Sequence, residues 1–212
     1  MEDIKFNNLC SHYKDSFDNH KASIKQRDTL FYLLLIILSV FVLQLSSTEV
    51  VSNIVTDYVK KSTGVALSGS TGFISTLLWF LLMGFSIRYF QTVIEIERQY
   101  SYLHVLETEL NSFYKQDSFA FTREGKSYHS KYPLFSNWVW LLYTLIFPIL
   151  LLSCAVLKIE IKLINISTLT ANQSIEIVCF IIISISVILY SYKLHENTVN
   201  KMCFRLSKIL NN

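Results

Sequence analysis

Apolar residues in this chain follow two patterns, unbroken runs and stripes at helical spacing. The runs cover residues 29–47, 72–93, 138–157 and 175–192. A helix needs roughly 20 residues to cross the hydrocarbon of a bilayer, and each run is close to that length. Lipid offers the backbone no hydrogen-bond partner, so each run predicts a transmembrane helix. The first run begins late, has a long apolar core and is followed by no small-residue cleavage site. It therefore reads as a span and not as a cleaved leader.

The stripes lie outside the runs. In residues 1–28, Phe6, Leu9, Tyr13, Phe17, His20 and Ile24 recur at steps of three or four, the spacing of one helix face. Past the second run, Val93, Ile96, Tyr100, Leu103, Leu106, Leu110 and Phe113 do the same. The second span is expected to continue as helix through this stripe. In residues 193–212, Val199, Met202, Cys203, Leu206, Ile209 and Leu210 form a third stripe. Apolar area left in water costs roughly 25 cal/mol per Å². The three helices are therefore expected to bury their stripes against one another as a bundle, or against neighbouring copies. Ile96, Tyr100, Leu103, Leu106, Leu110 and Phe113 are the candidates for that core or oligomer interface.

Charge sets the orientation. Lys and Arg number five in residues 1–28, five in 94–137 and four in 193–212, against two each in 48–71 and 158–174. The positive-inside rule then places both termini and the middle connection in the cytosol. Composition agrees, with 51% hydrophobic and 17% charged residues, well under the ~25% charged of a soluble domain. The fold class is all-α: an integral membrane protein with four transmembrane helices and a cytosolic helical bundle. Cys10, Cys154, Cys179 and Cys203 fall in cytosolic or spanning segments, so no disulfide is expected.

The connections carry their own patterns. Residues 48–71 read as a brief helix followed by a Gly/Ser passage. Residues 158–164, KIEIKLI, alternate charged and apolar side chains and read as a half-buried outer strand, able to pair with a neighbour's copy. Glu176 stands at the outer mouth of the fourth span and is expected to reach water. Inside the spans the polar residues are mild, Gln44, Ser75, Thr76 and Ser86 among them, and no charged or histidine side chain lies near the middle. Pumps and proton relays need such groups. No Walker loop, GxSxG, HExxH or dinucleotide fingerprint occurs, so no catalytic residue, metal, cofactor or nucleic-acid partner is expected. His104 and Glu107, at i and i+3, read as a solvated helix face more readily than as metal ligands.

Two places suggest movement. The segment from Phe121 to Trp138 returns the chain from the helix tip to the third span and is crowded with charge. Arg123, Glu124, Gly125, Lys126, Tyr128, Tyr132 and Pro133 make it a candidate coupling or partner surface, beside the simpler reading of a re-entry joint at the headgroups. Pro148 falls near the middle of the third span. It removes a backbone donor and crowds the Thr144 carbonyl, so a kink and a candidate hinge are expected there.

The overall plan, with ERQYSYLHVLETELNSFY leading into FTREGKSYHSKYPLFSNWVW, resembles the small multi-pass membrane proteins of bacterial antiphage defence. The four-span membrane subunit of Kiwa-type systems is one such family, and retron-associated membrane effectors are another. The resemblance implies a multi-pass protein of the bacterial inner membrane, acting as an oligomeric sensor or effector with a cytosolic protein partner from the same operon. A constitutive ion channel or transport subunit, or a passive anchor for a cytosolic partner, is the alternative.

Reporter fusions test the topology. Those at residues 20, 120 and 212 are expected to read cytosolic, and those at 60 and 166 periplasmic. A periplasmic signal at 120 overturns the scheme.

Overall fold

The computed structural model describes residues 2–64, 71–114, 121, 134–164 and 170–210. The described chain is helical throughout, with no strand among the described residues. Its elements are α1 (Glu2–Ser46), α2 (Thr48–Thr63), α3 (Thr71–Asn111), α4 (Leu134–Leu141), a π-helical turn (Leu142–Ile146), α5 (Phe147–Ile164) and α6 (Ala171–Leu210). Four helices are long and apolar enough to cross a membrane, within α1, within α3, over Trp138–Ile161 and over Ala171–Glu196. Backbone capping marks the breaks. Gly64 takes the left-handed conformation, φ 72°, and donates its N–H to the Lys60 carbonyl, ending α2. Gln173 accepts from the Thr170 N–H at 2.8 Å, half of a capping box at the start of α6.

The chain divides into two compact units. The first comprises Met1–Thr29 with Gln91–Leu142. Here α1 and α3 pack antiparallel, with Phe6 against Phe113 at 5.4 Å at one end and Ser23 bonded to Gln99 at 3.1 Å at the other. The stripe forms the inside of this pair: Leu103, Leu106 and Leu110 are buried, Ile96 and Tyr100 half-buried, and Phe113 keeps an exposed edge. Glu107 departs from the expectation of a solvated face. It is buried and accepts from the Tyr13 hydroxyl at 2.9 Å, because its helix face turns toward α1. Ten residues earlier on α3, partial burial raises the Glu97 carboxyl above the usual 4.5, with His20 of α1 opposing the shift. The protonated form thus suits the fold better, so this contribution to stability is present below 4.5 and fades as pH rises through the raised value.

The second unit comprises Leu30–Phe90 with Tyr143–Asn212. Ring contacts fix the directions of its helices. Phe31 meets Tyr89 and Phe41 meets Trp79, so α1 and α3 run antiparallel. Phe31 also meets Phe147 and Gln44 meets Lys158, while Phe90 meets Tyr190 and Thr76 meets Glu176, so α5 runs parallel to α1 and α6 to α3. Outward positions such as Ile36, Phe80, Ile149 and Ile188 are exposed and apolar. A helix set that is apolar inside and outside suits lipid far better than water.

One expectation changes, and two stripes prove continuous with apolar runs. Residues 158–164 are the end of α5, not a strand; their alternation loses to the helical register of the run before them. The N-terminal stripe and the first apolar run form one unbroken helix, since no helix-ending residue lies between them. The C-terminal stripe continues α6, and residues to Asn212 group with the second unit. Its side chains beyond residue 196 lie outside the described residues.

Leu103→Asp with Leu110→Asp is expected to unfold the first unit, at roughly 3 kcal/mol or more for each carboxylate buried without a partner. Val105→Asp, at a position 61% exposed, is expected to be silent. Limited proteolysis of the two variants in detergent distinguishes them; equal resistance refutes the assignment of the core.

Candidate functional site

The interior of the second unit is layered, and one layer is charged. Gln44, Thr76, Lys158 and Glu176 come one from each long helix, and all four are buried, Lys158 at 7% exposure and Glu176 at 0%. The Lys158 ammonium donates to Gln44 Oε1 and lies 4.3 Å from the centre of the Phe41 ring. The amide oxygen and the ring face both attract a cation. The Thr76 hydroxyl lies 3.0 Å from the Gly72 carbonyl and 3.3 Å from Glu176 Oε1, within reach of both. Removing two charges from water costs several kcal/mol per ion unless hydrogen bonds and opposite charge replace the solvent. Such groups inside apolar helices mark function more often than stability.

One turn further along, three of the four helices contribute an aromatic ring. Phe41 stands three residues before Gln44, Trp79 three after Thr76 and Phe180 four after Glu176. Their rings meet edge to face, Phe41 to Trp79 at 5.0 Å and Trp79 to Phe180 at 6.4 Å, the arrangement aromatic quadrupoles favour. A further turn brings Leu38, Leu82, Leu151 and Ile183, again one from each helix and all buried.

The far end of the unit is a second polar feature. Phe31, Tyr89, Tyr143, Phe147 and Tyr190 cluster there, with Phe31 at 4.7 Å from Tyr143 and 4.9 Å from Phe147. The Tyr89 and Tyr190 hydroxyls both donate to the Tyr143 carbonyl, at 3.4 and 3.5 Å. The cause is Pro148. In α register the residue at 148 would donate to the carbonyl of 144, and in π register to that of 143. Proline donates to neither. The chain answers with the π turn at Leu142–Ile146 and with two tyrosines drawn to one carbonyl. The kink expected at Pro148 is therefore a widened turn ahead of it, and Pro148 itself is buried.

Two charges lie elsewhere than their sequence positions suggest. Lys158 counts with the outer connection by position, and Glu176 is expected to reach water; both are buried. They stand at helix ends, where hydropathy says nothing of which way a side chain faces. The signal is the common register: each of the four polar residues sits within a few positions of the same end of its apolar run. The candidate surface of Arg123, Glu124, Gly125, Lys126, Tyr128, Tyr132 and Pro133 lies outside the described residues. Among the described residues no three His, Cys, Asp or Glu side chains are placed to hold a metal ion. Comparison with protein-family models, curated proteins and solved structures finds no match to this chain.

A double-mutant cycle tests the proline joint. Tyr89→Phe with Tyr190→Phe is expected to cost about 1–2 kcal/mol in the native chain, since one carbonyl loses two donors. In a Pro148→Leu background the restored N–H supplies that carbonyl's helix, and the same pair is expected to cost nearly nothing. Denaturant unfolding in detergent measures both; equal costs in the two backgrounds refute the coupling.

Proposed function

We propose that the protein is an inner-membrane component of bacterial antiphage defence. In this reading it is a non-enzymatic, oligomeric sensor or effector. It couples a cytosolic partner or signal to a change in its membrane helices and in membrane permeability. One observation carries the coupling: α1 and α3 each run without a break from the unit that buries the stripe into the unit of apolar helices. An uninterrupted helix passes a shift or rotation along its axis with little loss, because every turn is hydrogen-bonded to the next. The Pro148 joint, on a third helix, is a place where such a shift is absorbed without unfolding.

A second reading, a constitutive channel or transport subunit, is favoured by two charges buried among apolar helices, Lys158 and Glu176. The two part on the need for a trigger. A constitutive channel conducts as purified protein, whereas a defence effector acts only during infection.

The test is phage protection and membrane depolarisation in cells carrying the whole operon, at matched expression. Wild type is expected to protect and to depolarise only after infection, and Pro148→Leu to lower both at least ten-fold while inserting normally. Protection by a strain lacking the gene, or depolarisation without infection, overturns the defence reading.

A further inference from the structure

We propose that the inner face of α3 lines a closed pathway for water and small monovalent ions, with the charged layer as its mouth and the leucine layer as its gate. The proposal rests on reading the four apolar helices as membrane spans. Along α3, Thr76, Trp79, Ser86 and Tyr89 follow one another on a single buried face, interrupted by Leu82. From Thr76 to Tyr89 the track covers about 20 Å at 1.5 Å per residue, a large part of a hydrocarbon core of roughly 30 Å.

Two polar groups on this face stand out. Trp79 Nε1 and Ser86 Oγ are buried and have no hydrogen-bond partner. An unmet polar group in such surroundings costs on the order of 1–3 kcal/mol, and native proteins normally satisfy it with protein or with ordered water. Ser86 had a simpler solution. Ser39, Ser184 and Ser186, in the same kind of helix, donate to the carbonyl four residues earlier at 2.7, 2.8 and 2.7 Å. Ser86 makes no such bond, so its hydroxyl and the indole N–H are left for water.

The gate follows from register. Leu38, Leu82, Leu151 and Ile183 stand six or seven residues from Gln44, Thr76, Lys158 and Glu176. That places an apolar ring about 10 Å past the mouth on every helix. A ring of this kind closes a pathway by excluding water, and it opens when the helices part slightly. The layer at the mouth holds one buried cation, Lys158, and one buried anion, Glu176, and the α3 face beyond it is uncharged. The native pathway therefore has little charge preference, and removing either charge sets one.

The full-length protein in planar bilayers under a potassium chloride gradient tests this. Wild type is expected to be closed. Leu82→Ser is expected to raise conductance at least ten-fold, and Leu38→Ser, from the same layer of α1, to do likewise. Leu81→Ser, on the exposed side of α3, is the control and should stay closed. In the Leu82→Ser background, Glu176→Gln should shift the reversal potential toward chloride and Lys158→Gln toward potassium, while Trp79→Phe with Ser86→Ala should lower the conductance. Gate variants that keep their helix content and are no leakier than Leu81→Ser overturn the pathway, as does a reversal potential that moves the same way for both charge variants. Conductance by the gate variants in a protein that gives no phage protection upholds the pathway and removes the defence reading. Protection with closed gate variants does the reverse.

Discussion

Inside a bundle whose outer face is apolar, every polar group must find its partner within the bundle. The second unit is arranged around this constraint. Ser39, Ser184 and Ser186 meet it locally, bonding back to the preceding turn of their own helix. The Tyr143 carbonyl meets it through two tyrosines from other helices. Lys158 meets it through an amide oxygen and a ring face. Each solution beyond the local one ties two or three helices together at a fixed level. The register of the unit is thus set by its few polar atoms, while the many apolar ones supply bulk.

The first unit is built differently. Its helices are amphipathic, and the interior made by Leu103, Leu106 and Leu110 is bordered by polar pairs such as His12 with Tyr102, 2.6 Å apart, and Lys5 with Glu109, 3.6 Å apart. Exposed pairs of this kind contribute little, a median of about 0–1 kcal/mol. Burial of the stripe stabilises the pair of helices more, at roughly 25 cal/mol per Å². One chain therefore holds two helical packings with different driving forces, and α1 and α3 take part in both.

Much of this was legible in the sequence. Run length predicts the four apolar helices, and spacing predicts the stripe, because both are properties of a single helix. What one helix cannot reveal is missed or misjudged. Glu107 looks solvated until α1 lies against it, and Glu176 looks wet until α3 supplies Thr76. KIEIKLI looks like a strand because alternation over seven residues is weak evidence beside the helix it continues. Pro148 announces a distortion but not its form, since the π turn depends on which partners the freed carbonyls can find.

The π turn has one more consequence. It fits an extra residue into its stretch of helix, so side chains on its two sides are offset by about 100° relative to a straight α-helix. Trp138 and Trp140 of α4 thus belong to a different angular phase from Leu151 and Ala155 of α5. A single heptad pattern cannot describe both halves. Each half can acquire its own apolar face, one matched to its neighbours in α4's unit and one to the interior of α5's, without a substitution in either forcing a change in the other.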